Sequence, residues 1–254
     1  MIGGALIVRI FVPGSFEYPL NYVLSMAIGC LGLLAGAFGF WMIKEPPSDI
    51  NNINEKNEGM ISDSIRILKE DVAFRRFILI ENITSFSLMI LPFYIVFVKH
   101  TFEDYKNFFG AYVMAQILGS ILSNFLWAAI SNKLGSTTVL KICILTGASI
   151  PLIAIVLQPA GAVWYILVFL LVGVITSGRN IGFEPYLLEI APEDKRTVYL
   201  GIRGTLNILD VLLPLAGGFF IDKLGYYAAF STVSAVMLVA FFLAQSDRMV
   251  KKQS

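Results

Sequence analysis

The stretch "AVWYILVFLLVGVITSGRNIGFEPYLLEI" occupies residues 162–190, and its character decides the fold. Its first part is an unbroken apolar run of the kind that crosses a hydrocarbon core, which takes about 20 helical residues. Arg179 then stands where the run should still be inside that core, and Glu184 follows. Ionisable groups at such depth are costly and normally face protein or a water-filled cavity. The stretch therefore predicts a membrane-spanning helix with an inward-facing charge.

The composition of the whole chain agrees with a membrane protein. Of its 254 residues 57% are hydrophobic and 15% are charged, whereas soluble domains carry about 25% charged residues. The apolar residues form long blocks without the alternation of barrel strands, so helices are expected. The sequence predicts an all-α, multi-pass transmembrane helical bundle with these complete spans: 19–43, 77–98, 107–131, 142–158, 162–178, 204–221 and 225–245. The net charge of +1 gives no indication of nucleic acid as a partner.

Two segments lie outside these spans, one short and apolar and one long and polar. Residues 2–12, "IGGALIVRIFV", are too short to span a bilayer, and we expect them to be the second half of a helix whose first half is missing. Residues 44–72 are the one long polar stretch. Its first part is a linker rich in Pro, Asn and Glu, and its second part has Ile61, Ile65 and Leu68 at the spacing of an amphipathic helix on the membrane surface.

The distribution of Lys and Arg predicts the orientation. One side of the membrane receives the basic residues of 44–76, 132–141, 188–196 and 246–254, which number thirteen, and the other side receives only Lys99, Lys106 and Lys223. Because the basic side faces the cytoplasm, the loop 44–72 and the C-terminal tail are predicted to be cytoplasmic.

A repeat is visible after the long loop. Residues 74–158 and 162–245 are two blocks of nearly equal length, each with three spans, and similar tetrapeptides follow their second spans: "NKLG" at 132–135 and "DKLG" at 222–225. Three spans is an odd number, so the two units would insert with opposite orientation. Inverted repeats of this kind are typical of transporters, whose substrate sites lie near the midplane.

Polar residues inside the spans recur at helical spacing. Three stripes are present, and they are Tyr112, Gln116, Ser120 and Asn124; Thr176, Asn180 and Glu184; and Arg203, Asn207 and Asp210. Such stripes either hold a bundle together by interhelical hydrogen bonds or line a shared wet cavity. We favour the cavity, and its candidate lining residues for substrate or ion are Glu81, Asn82, Gln116, Arg179, Asn180, Asn207 and Asp210.

The intramembrane charges suggest two different roles. By the helical rise, Glu184 and Arg203 both lie within about 9 Å of the inner ends of consecutive spans, so we interpret them as a structural ion pair. Arg179 is the better functional candidate, with Glu81 or Asp210 as its counter-charge. The alternative for Arg179 is a buried structural ion pair.

With these features in hand, the chain resembles the major facilitator superfamily over nearly all of its length. Residues 218–225, "GFFIDKLG", match the family's loop motif through Gly218, Asp222, Lys223 and Gly225, but aromatic residues replace the motif's following basic pair. Residues 128–137, "AAISNKLGST", keep only Lys133 and Gly135 of the motif. The resemblance implies a gating role for these loop residues, which the departures weaken.

The resemblance also implies a domain division. Residues 1–43 would be a remnant of the N-terminal helical half, 44–72 a cytoplasmic linker with its surface helix, 73–245 a six-helix bundle and 246–254 a cytoplasmic tail. It implies secondary-active transport of a small solute at the plasma membrane by alternating access, with H⁺ or Na⁺ as coupling ion. The chain would then act as a fragment, with a separate N-terminal half, or as a homodimer.

Other function classes remain open or are disfavoured. A non-transporting membrane remnant, a partner-dependent membrane subunit and a seven-span receptor are the alternatives. An enzyme is not expected, because His100 is the only histidine and neither H-E-x-x-H nor G-x-S-x-G occurs. No cofactor, metal site or catalytic residue is predicted. The expected partners are the lipid bilayer and a small-molecule substrate.

Overall fold

The fold is helical throughout the part of the chain that the structure describes. The structure is a computed structural model and describes Ile10, residues 19–43 and residues 60–245. These residues are 93% helical and contain no strand, which confirms the predicted all-α bundle. Apart from Ile10, the predicted partial span 2–12 lies outside the described residues, as do the first part of the linker, 44–59, and the tail 246–254.

Ten helices are described, and short 3₁₀ turns connect some of them. The helices are α1 (Leu20–Trp41), α2 (Met60–Glu70), α3 (Val72–Thr84), α4 (Phe86–Ile90), α5 (Phe93–Thr101), α6 (Phe109–Leu134), α7 (Ser136–Val156), α8 (Tyr165–Ile190), α9 (Arg196–Leu206) and α10 (Leu213–Gln245). The 3₁₀ turns are Glu103–Asn107, Gln158–Ala160, Ala162–Trp164, Glu193–Lys195 and Asn207–Val211.

The described helices give six candidate membrane spans rather than the predicted seven. The predicted spans 204–221 and 225–245 both reach into α10, which is 33 residues long. Within α10, Gly225 leaves the helical conformation with a φ of 81°. The structure thus counts these two blocks as one helix with a break, and the predicted span 204–221 also takes in the end of α9 and the 3₁₀ segment Asn207–Val211.

The two predicted repeat tetrapeptides end in the same backbone turn. Gly135 separates α6 from α7 with a φ of 83°, and Gly225 has a φ of 81°. Positive φ is strained for residues with a Cβ but open to glycine, which explains why both tetrapeptides end in glycine.

The two glycine turns lie at opposite ends of α7. Ser136, directly after Gly135, donates a hydrogen bond from its hydroxyl to Glu189 at 2.6 Å. Tyr227, two residues after Gly225, donates to Gln158, which follows the far end of α7. Since α7 has 21 residues and rises about 1.5 Å per residue, the turns are separated by its length. This is the arrangement expected of two units with opposite orientation.

The first predicted span after the linker is interrupted twice, as α3, α4 and α5. Pro92 precedes α5 and cannot donate a backbone hydrogen bond. Ser85 separates α3 from α4. The hydroxyls of Thr84 and Ser85 both donate to the Glu81 carbonyl, at 2.8 Å and 3.0 Å, and so satisfy a backbone acceptor next to the interruption.

Small residues allow α6 and α8 to approach closely. A Cβ added at Gly173 would lie 2.0 Å from the backbone oxygen of Gln116, and one added at Gly119 would lie 2.2 Å from the oxygen of Leu170. The indole of Trp127 on α6 donates to the Val174 carbonyl on α8 at 3.0 Å. Close approach at glycines is a common way for membrane helices to associate, and it fixes the position of α8.

The helices at the start of the described chain differ in burial. None of the residues of α1 is buried. A helix, α2, is present where the sequence predicts an amphipathic one. Ile67 and Leu68 pack against the core, whereas Ile65, which the spacing placed on the apolar face, is exposed. The Asp71 carboxylate caps α3 through the amide of Phe74 at 2.9 Å and accepts from the Tyr199 hydroxyl at 2.7 Å.

Candidate functional site

Glu81 on α3 and Arg203 on α9 form an ion pair. The guanidinium donates from Nη2 to Oε1 at 2.7 Å and from Nε to Oε1 and Oε2 at 2.9 Å and 3.0 Å. The side chain of Glu81 is 2% exposed and that of Arg203 is 20% exposed. A planar guanidinium that binds both carboxylate oxygens is a strong and directional contact. Glu81 therefore has its counter-charge, and the pair ties α3 to α9.

This geometry corrects the predicted pair of Glu184 with Arg203. Glu184 is exposed, and Arg203 binds Glu81 instead. The physical reason is that the helical rise gives the depth of a residue in the membrane but not the face of the helix on which it lies. Glu184 has a suitable depth but the wrong direction.

Arg179 on α8 has neutral partners. Its Nη1 donates to the Thr84 hydroxyl at 3.2 Å and its Nη2 to the Ser85 hydroxyl at 3.3 Å. The guanidinium carbon lies 5.0 Å from the centre of the Phe183 ring, one turn further along α8, within the range of a cation–π contact. No carboxylate of the described residues is within ion-pair distance of Arg179. Neither Glu81 nor Asp210 therefore forms the predicted direct ion pair with Arg179.

The hydroxyls of Thr84 and Ser85 can only accept hydrogen bonds from Arg179. Each donates its hydrogen to the Glu81 carbonyl, and a hydroxyl has only one hydrogen to donate. Toward Arg179 they can then act only as acceptors. Thr84 and Ser85 are both fully buried, so their two acceptor oxygens are already positioned beside the Arg179 guanidinium.

Arg179 also lines a cavity of about 250 Å³ between α4, α5, α7 and α8. Its polar lining besides Arg179 consists of Ser87, Thr176, Asn180 and the hydroxyl-bearing Tyr94. Its remaining wall is apolar and consists of Leu88, Leu91, Gly147, Ile150, Val172 and Ile175. Thr176 and Asn180 are exposed on the face of α8 that continues the cavity outward. The site combines one cation with a largely apolar wall.

Two of the predicted cavity residues lie elsewhere. The Asn82 amide donates to the Ile78 carbonyl of its own helix at 2.9 Å. Gln116 is partly buried on α6, beside the close approach of Gly173, and is not part of the cavity wall. Neither residue lines the cavity beside Arg179, and their role as substrate or ion ligands stays a prediction.

The polar stripe of α6 serves helix packing where its contacts are described. The Tyr112 hydroxyl donates to the Ala162 carbonyl at 2.7 Å, and Asn124 accepts from the Ser177 hydroxyl of α8 at 2.5 Å. The interhelical reading, which the sequence left open, holds for these two residues.

Asn207 and Asp210 lie together in the 3₁₀ segment Asn207–Val211, between α9 and α10. In a 3₁₀ helix residues three apart are eclipsed, so both side chains are on one side. One buried oxygen of each, Oδ1, has no hydrogen-bond partner in the described part of the chain. The segment between α9 and α10 thus carries two buried acceptor oxygens without a partner among the described residues.

The predicted gating residues lie at the two glycine turns. Lys133, Asp222 and Lys223 are exposed. Lys223 approaches Asp222 at 3.9 Å and lies 5.9 Å from the centre of the Phe219 ring.

Gly218 and its neighbour differ in what surrounds them. A Cβ added at Gly218 would find the nearest atom, in Phe93, at 3.4 Å, whereas one at Gly217 would lie 2.4 Å from the Met89 backbone oxygen. The closer helix contact is therefore made by Gly217, which the motif did not single out. Gly135 and Gly225 are explained by their positive φ.

Sequence reasoning missed the residues that hold and face Arg179: Thr84, Ser85, Ser87 and Tyr94. The available signal was the segment "TSFS" at 84–87, since its three hydroxyl-bearing residues interrupt an otherwise apolar span. It was weak because Ser and Thr in membrane helices usually bond their own backbone.

These features define a membrane-embedded helical bundle with a charged cavity. The sequence profile of the Major Facilitator Superfamily matches residues 1–209 and, in a second overlapping placement, residues 77–248. The chain therefore belongs to the Major Facilitator Superfamily. Members of this family are membrane transporters rather than enzymes. No curated protein matches the chain.

Proposed function

We propose that the chain carries out secondary-active transport of a small solute by alternating access, and that the solute binds in the cavity beside Arg179. The observation that carries this proposal is Arg179 itself, a cation at membrane depth with hydroxyl partners in place of a carboxylate. An intramembrane charge is costly when it serves structure alone. A ligand in the cavity would provide a binding partner for this charge.

The coupling ion belongs at the interruption between α9 and α10. Asn207 and Asp210 each have a buried oxygen without a partner, and interrupted helices are common ion sites in transporters. We propose H⁺ or Na⁺ as the ion, with Asp210 as its main ligand. Asp210→Asn should abolish the dependence of uptake on the ion gradient while leaving solute binding at Arg179 in place.

The cavity needs a second wall. Thr176 and Asn180 are exposed, although they continue the lining of the cavity, and transporters of this type place the site between two helical units. We propose that a further helical half covers this face, either as a separate N-terminal half or as the second chain of a homodimer.

We propose that the membrane is the plasma membrane, with the loop 44–72 and the C-terminal tail on the cytoplasmic side. The distribution of Lys and Arg supports this orientation. In a background without Cys30 and Cys143, a cysteine at Glu103 should react with an impermeant thiol reagent added to intact cells, and one at Asp194 should not. Both positions are exposed, so reaction at Asp194 alone would reverse the orientation.

Uptake into proteoliposomes tests the transport proposal without knowledge of the solute. Vesicles with the purified chain would be incubated with a mixture of small metabolites under a proton or sodium gradient, and mass spectrometry would identify what accumulates. We expect gradient-dependent accumulation of one chemical class, with protein-free vesicles as control. The chain alone would be compared with the chain reconstituted together with a separate N-terminal half.

The outcomes separate the alternatives. Accumulation only in the presence of the second half would identify a partner-dependent transporter subunit. If neither preparation accumulates any solute, although the protein is folded and inserted, the chain is a non-transporting membrane protein. Ligand binding without accumulation in either preparation would favour a receptor.

A further inference from the structure

The charge around Arg179 is balanced differently from the charge around Arg203. Both carboxylate oxygens of Glu81 are bound by Arg203, so Glu81 offers Arg179 only a field through space. Thr84 and Ser85 contribute lone pairs but no charge. The cation at the cavity wall is thus solvated by neutral oxygens and lacks a direct anionic partner among the described residues.

Arg179 also retains capacity to bind. A guanidinium has more N–H donors than the two that the hydroxyls occupy. Phe183 covers one face of the group, but hydrogen bonds form in the plane of the guanidinium, at its edges. An anionic group in the cavity could therefore be added to the present contacts without breaking them.

Resting on the proposed transport function, we propose that the solute is a small organic anion, such as a monocarboxylate, with an apolar body. Its anionic group binds the Arg179 guanidinium, and its body lies against the apolar wall that includes Leu88, Leu91, Ile150 and Val172. Asn180 is placed beside Arg179 along α8 to donate a further hydrogen bond to the anionic group. The Thr176 hydroxyl donates its hydrogen to the Val172 carbonyl at 2.8 Å, so it contributes no donor to the anion.

The same cavity disfavours other classes of solute. A cationic solute would meet the positive charge of Arg179 with no carboxylate in the cavity wall. A sugar would bring hydroxyls on every side, and most of them would face aliphatic carbon and remain unsatisfied, which is costly in a desolvated site. An amphiphilic anion satisfies both the charged and the apolar part of the wall.

Matched ligands test the charge directly. The probes are acetate, butanoate, octanoate and benzoate, each compared with its amide, together with benzylammonium as a cation. Binding would be measured by titration calorimetry and by the shift of the unfolding temperature, both for the purified chain in detergent or nanodiscs and for the chain reconstituted with a separate N-terminal half. We expect at least one acid to bind about tenfold or more tightly than its amide, the equivalent of one hydrogen bond to a charged group. Acetate should be the weakest acid, and benzylammonium should not bind.

Two variants and a control assign the effect to Arg179. Arg179→Gln should lower the affinity for the preferred acid about tenfold or more and leave the affinity for its amide unchanged. Arg179→Lys keeps the charge without the planar fork and should show an intermediate loss. Lys106→Gln removes an exposed cation of the loop between α5 and α6 and should bind the acid as the unmodified chain does.

The proposal is overturned if no acid binds more tightly than its amide, whether both bind equally or neither binds. It is also overturned if a folded Arg179→Gln protein keeps its preference for the acid. These results leave the transport proposal separately testable. Accumulation of a neutral or cationic solute in the vesicle assay would support transport and reject the anionic solute. Binding of an acid without any accumulation would support the anionic ligand and reject transport.

Discussion

Two arginines of the bundle have opposite surroundings. Arg203 on α9 binds both oxygens of the buried Glu81 carboxylate, with contacts of 2.7–3.0 Å. Arg179 on α8 donates to the hydroxyls of Thr84 and Ser85, at 3.2 Å and 3.3 Å. The partners of both arginines come from the same short segment, residues 81–85, so the contrast arises within one turn of helix.

The difference separates a charge used for structure from a charge available to a ligand. In the Glu81–Arg203 pair each charge compensates the other, and little capacity is left for a further partner. Around Arg179 the hydroxyls position the group and satisfy part of it, but they leave its positive charge uncompensated at the cavity wall. A segment of five residues can thus hold one arginine as part of the scaffold and present the other to the cavity.

The largest expected effect is the loss of the structural arginine. Arg203→Met should lower the free energy of unfolding by about 3–5 kcal/mol, because it leaves the Glu81 carboxylate buried without its partner. Arg179→Met should lower it by less than about 1.5 kcal/mol, since the two hydroxyls keep their bonds to the Glu81 carbonyl. Thermal and denaturant unfolding in detergent measure both. Equal losses for the two variants would remove the distinction between the arginines.

The second effect is rescue by neutralising the partner. Adding Glu81→Gln to Arg203→Met should recover part of the lost stability, with a coupling energy of about 0.5–3 kcal/mol. Glu184→Gln is the matched control, because Glu184 is exposed and the sequence had named it as the partner. Rescue of Arg203→Met by Glu184→Gln and not by Glu81→Gln would show that Arg203 pairs with Glu184, as the sequence predicts.

The sequence was sufficient for the helices. Apolar blocks and the depletion of charge predicted the helical bundle. The tetrapeptides "NKLG" and "DKLG" were placed after the second span of each repeat unit, which is where α6 ends and α10 breaks. It also identified Arg179 as a functional candidate. These features depend on local composition and on the rise of a helix, both of which a single sequence contains.

The partners of the charges could not be predicted in the same way. Whether Arg203 meets Glu81 or Glu184 depends on the rotation of α9 against α3 and α8, and the packing of many small contacts sets this rotation. The contact of Gly173 with the backbone of Gln116 is one of these. The segment 84–87 is a further case, since the use of Thr84 and Ser85 as acceptors appears only when α8 brings Arg179 to them.

The third prediction displaces Arg179 without touching the Glu81–Arg203 pair. Gly173→Ala places a methyl group 2.0 Å from the Gln116 oxygen, so α8 must move away from α6, at a cost of about 1–3 kcal/mol. Because α8 carries Arg179 and neither member of the pair, anion affinity should fall together with stability. Gly29→Ala is the control, as nothing lies within 4 Å of a Cβ there. An unfolding temperature for Gly173→Ala that matches the unmodified chain would contradict the close contact.

The smallest expected effect tests the Thr84 hydroxyl that accepts a hydrogen bond from Arg179. Thr84→Val keeps the shape of the side chain and removes one acceptor from Arg179, together with the bond to the Glu81 carbonyl, and should cost about 0.5–1.5 kcal/mol. Thr84→Ser keeps the hydroxyl and should cost less. The decisive comparison repeats Thr84→Val in the Arg179→Met background. If the hydroxyl serves Arg179, its removal costs less once the arginine is gone, because part of its bonding has already been lost. An unchanged cost in both backgrounds would mean that Thr84 serves only its own helix, and Arg179 would then be held by Ser85 and Phe183 alone.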